Sequence, residues 1–289
     1  MKIGGVVCQV LLVTGLSACG GGTGLGSYTT AGNSQTSSLL GTSGGVTLST
    51  GTGAGTTDDN NVGTSIVNAE GVWRGTSDTG RTLTGLILDN GFYWMLYSAA
   101  GNNGNIVGVI VGNSLSGNGT VNSNNGKDFN FETNALLPFA LQGSYTPRAR
   151  LQAALTYTDI PGSSVTISAT HDNNYNLAPS IATLSGRYTG SSNSLINGSR
   201  DTAFSIDARG QLTGSRVDGC TFTGTVFPRP RGNAYSVSLA YGNNCLERNA
   251  GGSSGSTGSA YFDPSNRQLY SVTLNSTARD VLVFVGNRQ

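Results

Sequence analysis

The stretch LILDNGFYWMLYS, Leu86 to Ser98, decides the fold class. Two short apolar runs meet at Asn90-Gly91, a pair that tolerates positive φ and suits a type I′ turn, so residues 86–89 and 92–98 read as a β-hairpin. Side chains alternate across a strand, which puts Phe92, Trp94 and Leu96 on one face and Tyr93, Met95 and Tyr97 on the other. Both faces are bulky. A strand of this kind is buried from two sides, or it presents aromatic rings to a ligand.

Outward from this hairpin the same period-2 pattern recurs. Strands are expected at residues 106–111, 119–122, 128–132, 150–157 and 164–170, each bounded by glycine or asparagine clusters. Beyond Pro179 the pattern restarts, at residues 182–189, 203–207, 211–215, 221–227, 234–241, 259–263, 268–274 and 281–285. No stretch of a dozen residues sustains a helical apolar period. The chain is therefore all-β, with short strands at the regular spacing of sandwiches or up-and-down barrels.

Two blocks of about 110 residues open alike, GVWRG at residues 71–75 and GRYTG at residues 186–190. Two tandem antiparallel barrels or sandwiches are expected, over residues 71–180 and 181–289; a single larger β-domain is the alternative. The glycine–aromatic–glycine openings resemble the first strand of lipocalin-like and avidin-like barrels and of transferrin-binding-type surface lipoproteins. The resemblance implies that Trp73 and Tyr188 each plug one end of a barrel.

Ahead of these blocks, residues 20–68 are rich in glycine, serine and threonine. They cannot bury enough apolar surface to offset their ordering entropy and read as a tether. A coil of about 50 such residues spans roughly 40 Å. Before the tether, Lys2 and an apolar run over residues 3–16 fall short of the roughly 20 residues needed to cross a bilayer, as a signal segment does. That run closes with Leu16-Ser17-Ala18-Cys19, which resembles the lipobox of bacterial lipoproteins. The resemblance implies a signal peptide of residues 1–18, a diacylglyceryl thioether on Cys19, an acylated amino terminus and a lipidated tether of residues 19–70. Gly20 after the cysteine, where an aspartate would retain the protein in the inner membrane, implies the outer membrane, with the body on its periplasmic face or at the cell surface. Two or more acyl chains hold firmly where one binds marginally.

Of the four cysteines, Cys8 leaves with the leader and Cys19 takes lipid. Cys220 and Cys245 remain as a pair that an oxidising compartment would join. Glycine supplies 44 of 289 residues, and 16 Lys and Arg stand against 15 Asp and Glu. That balance argues against a basic groove for nucleic acid.

No complete catalytic set appears. His171, the sole histidine, reads as a solvent-facing turn residue beside Asp172. Ser253 in GGSSG lacks the strand-to-helix elbow a nucleophile needs. DNNYNL, from Asp172, starts like a calcium loop but has Leu177 where glycine is required and Thr183 where glutamate is required. Asp89, Asp128, Glu132 and Asp207 remain as acids that a glycan hydrolase would pair in space, although Asp207 suits the turn that follows it. The aromatics are the better lead. Tyr93, Trp94 and Tyr97 are candidate ligand contacts, joined by Arg229 and Arg231 in FPRPRG, where Pro228 and Pro230 would hold the guanidinium groups outward. The expectation is a non-catalytic, membrane-anchored module that binds a small molecule or an envelope protein, with no cofactor and no metal. An assembly accessory of the envelope and a glycan hydrolase are the alternatives.

Overall fold

The computed structural model describes residues 68–249, 252 and 254–289. The signal segment, Cys19, the tether up to residue 67 and Ser253 lie outside the described residues. The body is nearly all β and forms two closed antiparallel barrels of eight strands each.

The first barrel comprises β1 (Gly71–Ser77), β2 (Thr82–Ile87), β3 (Phe92–Ala99), β4 (Asn102–Asn113), β6 (Thr120–Asn130), β7 (Ala135–Thr146), β8 (Arg150–Tyr157) and β9 (Ser164–Asp172). It closes where β1 meets β9. The short β5 (Leu115–Gly117) pairs only with the start of β6, while β4 pairs with the end of β6. A 3-10 turn at Asn173–Asn176 and the helical turn α1 (Ile181–Leu184) lead to the second barrel. That barrel runs through β10 (Gly186–Ser194), β11 (Gly198–Ile206), β12 (Gln211–Arg216), β13 (Thr221–Pro228), β14 (Tyr235–Tyr241), β15 (Gly255–Asp263), β16 (Gln268–Asn275) and β17 (Val281–Arg288), with α2 (Leu246–Asn249) between β14 and β15. Pairing of β10 with β17 closes it.

The two openings are built alike. Trp73 Nε1 donates to the Ala69 carbonyl at 3.0 Å, and Tyr188 Oη donates to the Leu184 carbonyl at 2.6 Å, each four residues back. Trp73 sits opposite His171 on the closing strand, and Tyr188 sits opposite Arg288. Two residues on, Gly75 and Gly190 lie against the closing strands so closely that a Cβ would fall on the carbonyl oxygens of Ser168 and Val285. The GxWxG and GxYxG patterns are therefore closure devices, in which the aromatic fills the barrel and the following glycine lets the last strand approach.

Three expectations need correction. The 88–92 turn is not type I′, because only Gly91 takes positive φ, at 84°. Gly91 N donates to Leu88 O and Leu88 N to Phe92 O, which makes a three-residue loop with glycine in the bulge position. The same loop recurs at residues 77–81, 207–211 and 216–220. Residues 182–184 belong to α1 and not to a strand, since the Ser180 hydroxyl caps the turn by accepting from Thr183 N at 3.0 Å. The twelve-residue strand β7 has no counterpart in the sequence reading because Pro138 interrupts the pattern. Its carbonyl accepts from Thr158, just past Tyr157, the last paired residue of β8, so the missing N–H falls beyond the ladder.

The core has three parts. One fills each barrel, and the third lies between them, where Val72, Leu86, Trp94, Leu96, Val109 and Phe129 meet Tyr261, Tyr270, Val272, Val281 and Val283. Each such side chain contributes about 1.5–3 kcal/mol relative to exposure. Polar ties cross the same seam. Arg74 bonds Asp172 at 2.7 Å and Asp263 at 2.6 Å, while its guanidinium lies 6.0 and 5.7 Å from the ring centres of Tyr261 and Tyr270. Trp94 Nε1 donates to Ser259 Oγ at 2.9 Å. The two bulky faces of β3 thus serve two cores, one inside the barrel and one outside it.

Candidate functional site

The first barrel holds a cavity of about 240 Å³ at one mouth, larger than the roughly 150 Å³ that accommodates benzene. Leu83, Ile110, Leu155, Val165 and Ile167 form its apolar wall, and Tyr97, Asp128, Tyr157, Arg81, Ser77, Thr79 and Asn130 supply polar groups. The strand register assembles it. Tyr97 on β3 lies opposite Gly108 on β4, and Ile110 lies opposite Asp128 on β6, so Tyr97 and Asp128 point into the barrel one strand apart. The Tyr97 ring occupies the space a Cβ at Gly108 would need.

Asp128 is only 2% exposed. Its Oδ1 accepts from Tyr97 Oη and its Oδ2 from Tyr157 Oη, each at 2.7 Å. Burial raises the pKa of this carboxyl, and the two phenols and the Arg81 charge act against that rise. Burial likewise pushes both phenols up, and the neighbouring carboxylate adds to the effect. Arg81 lies at the rim, 5.4 Å from the centre of the Tyr97 ring, bonded to Glu132 at 2.7 Å and to the Ser98 carbonyl at 3.0 Å. An ionised carboxylate has about four lone-pair positions. Two remain on Asp128 for a donor entering the cup.

The interior of the second barrel is fuller. Phe204, Phe222, Leu239 and Phe284 leave only about 30 Å³. Arg216, with its side chain 2% exposed, bonds both oxygens of Glu247, and Asp218 accepts from it as well. Glu247 stands on α2, which the disulfide Cys220–Cys245 ties to the β12–β13 turn. Cys220, Cys245 and Glu247 lie together as potential metal ligands. Both sulfurs are consumed by the disulfide, however, and the carboxylate is held by Arg216, so the grouping does not fit a cation.

Of the five residues expected to contact a ligand, only Tyr97 lines the cup. Tyr93 points into the same barrel, but it is 1% exposed and its hydroxyl donates to Ser123 Oγ at 3.2 Å. Trp94 is fully buried between the barrels, so it packs the seam and offers no surface to a ligand. Arg229 is not held outward but turns back onto the first barrel, bonding Asp89 at 2.6 Å, while Arg231 keeps its side chain 42% exposed and bonds Glu70 at 2.7 Å.

His171 is not a solvent-facing turn residue. It lies in β9 with its ring edge-on to Trp73 and Tyr175, at 5.5 and 6.1 Å between centres. Among the described residues neither ring nitrogen has a hydrogen-bond partner of normal geometry. Burial depresses its pKa and the Arg148 charge adds to this, against smaller opposing contributions from Asn173 and Asp172. Asp172 serves Arg74, Tyr261 and the backbone N–H of Asn174 and does not orient the imidazole. Asp207 is occupied by its own turn, accepting from Arg209 N and Gln211 N at 2.8 Å each.

Asp128 was legible in the sequence only as one acid among several, and Tyr157 and Arg81 carried no signal. No family model matches the chain, and no curated protein is similar to it. Among solved structures it is similar to a crystal structure of a protein of unknown function from the DUF3598 family of Nostoc punctiforme, with 13% identity and a TM-score of 0.29, covering 76% of this chain and 94% of that chain. The all-β barrel architecture rests on the strand pairing itself.

Proposed function

We propose that the chain is an outer-membrane lipoprotein, anchored through Cys19, whose first barrel binds a small amphiphile with a hydrogen-bond-donating head. The observation that carries this reading is the buried Asp128 carboxylate, clasped by Tyr97 and Tyr157 above an apolar wall. Arg81 and Glu132 neutralise each other at the rim, so the cup carries one net negative charge when Asp128 is ionised. A primary ammonium satisfies both the charge and the free lone pairs, and its apolar body fills the wall below. Leu16-Ser17-Ala18-Cys19 and the glycine-rich tether support the anchored location. No helix among the described residues is long and apolar enough to cross a membrane.

Ligand-observed NMR with n-hexylamine, hexan-1-ol and hexanoate tests the cup. Hexylamine is expected to bind best and hexanoate worst. Asp128→Asn removes a charge-assisted bond of about 1.5–3 kcal/mol, a loss of roughly 10- to 100-fold in affinity, and Tyr157→Phe weakens binding less. Equal binding of hexylamine and hexanoate, or an Asp128→Asn variant that binds as well as the parent, overturns the reading. The anchor is tested separately, by mass spectrometry of the envelope form for acyl groups on a chain that starts at Cys19.

A further inference from the structure

The two barrels do not meet along their whole length. Beside the shared core an open cleft of about 710 Å³ runs between the outer face of β13–β16 and the 88–92 turn with the end of β4. Its size and its position between two folded bodies match those of small-ligand sites, which occupy roughly 300–1,000 Å³ and favour domain interfaces.

The floor carries a cross-strand row of hydroxyls. Thr225 on β13 lies opposite Ser238 on β14, and Ser238 lies opposite Thr257 on β15. None of the three side chains bonds a protein group among the described residues. Neighbouring strands are about 4.8 Å apart, so the row presents a donor–acceptor hydroxyl at that interval, close to the advance per unit of an extended hexopyranose chain. Phe227, two residues along β13 on the same face, is 53% exposed. Across the cleft stand the half-buried Phe92 and the exposed Asn90 and Asn113, and the Asn113 side-chain carboxamide makes no hydrogen bond among the described residues. The one charged side chain in the lining, Arg229, is neutralised by Asp89.

Each alternative occupant meets an obstacle. An anion finds the Arg229 charge already balanced by Asp89, with only its buried Nε making no hydrogen bond among the described residues. An extended peptide finds no free backbone edge, because β13, β14, β15 and β16 are each bonded on both sides. An acyl chain would strand the hydroxyl row. A sugar suits what is present: its hydroxyls both give and accept, as Ser, Thr and Asn side chains do between them, and its C–H face stacks on the electron-rich face of phenylalanine.

We propose that this cleft binds a neutral glycan chain, at a site separate from the Asp128 cup and independent of the reading given for that cup. Isothermal titration of the full chain with maltohexaose, cellohexaose and chitohexaose tests it. At least one is expected to bind saturably. Phe227→Ala, at an exposed position, is expected to weaken that binding at least 10-fold with an unchanged melting temperature, and Ser238→Ala with Thr257→Val to weaken it further. Asp128→Asn is expected to leave it unchanged. Failure of all three hexasaccharides at millimolar concentration overturns the proposal. So does binding that survives Phe227→Ala, or that is lost with Asp128→Asn.

Discussion

Trp94→Ala is expected to destabilise the whole body and not the first barrel alone. Among the described residues the seam contains fifteen buried apolar or aromatic side chains, against eighteen inside each barrel, so it ranks as a core in its own right. Trp94 is one of its largest members and is 0% exposed. Truncating a buried tryptophan to alanine costs about 3–5 kcal/mol, the lost transfer energy plus the cavity left behind. At about 2–4 °C per kcal/mol for a body of this size, the melting temperature falls by roughly 6–20 °C. Trp94→Phe keeps most of the ring but leaves the buried Ser259 hydroxyl, 1% exposed, without its donor, for a smaller loss of about 1–3 kcal/mol. Calorimetry on the full chain, with circular dichroism at a β-sheet wavelength, reads both. A parent protein that melts in two well-separated steps, or a Trp94→Ala variant within about 1 °C of the parent, would refute the view that the barrels are fused through β3.

Three further outcomes follow from other parts of the molecule. Glu247→Ala leaves Arg216 buried with only Asp218, and urea denaturation is expected to show a loss of about 3–5 kcal/mol; a loss under about 1 kcal/mol would mean the pair is more hydrated than its 2% and 4% side-chain exposure implies. Replacing both Cys220 and Cys245 by serine opens a loop of sequence separation 25 and is expected to cost roughly 3 kcal/mol by the chain-entropy relation, read from the same urea midpoints, with an unshifted midpoint as the contrary result. His171 has a folded pKa below its ordinary 6.5, so the unfolded chain takes up the proton first. Stability is therefore full above about pH 6.5 and is lost as pH falls from there towards the folded value. Melting temperatures from about pH 5 to 8 should carry a slope that His171→Phe removes; an identical slope in the variant would assign it elsewhere.

Much of the architecture was legible because it rests on local rules. Period-2 alternation located most strands, the glycine–aromatic–glycine openings marked both barrel closures, and the spacing of Asp207 before Gly210 identified a self-bonded turn. The candidate site was less legible for a specific reason. In the segment KDFNF, residues 127–131, apolar Phe129 and Phe131 alternate with Asp128 and Asn130, and the alternation alone does not say which face is inside. Both residues are buried: Phe129 packs outward in the core shared with the second barrel, and Asp128 points into its own barrel. A fused barrel is buried on its outer side as well, so hydrophobicity no longer tells inside from outside. The ion pairs of Arg229 and Arg231 were not legible, since their partners Asp89 and Glu70 belong to the other half of the body, 140 and 161 residues away.

The closure of each ring by its first and last strands has a kinetic consequence. Trp73 waits for His171, 98 positions later, and Tyr188 waits for Arg288, 100 positions later (288 − 188). Loop-closure entropy must be met before such distant pairings repay it, which slows folding. Until β17 emerges, the edges of β10 and β16 stay open to any passing strand. A chain released a few residues short of Val281 is therefore left with an aggregation-prone open ring of seven strands, and β17 acts as the latch that makes the folded body safe.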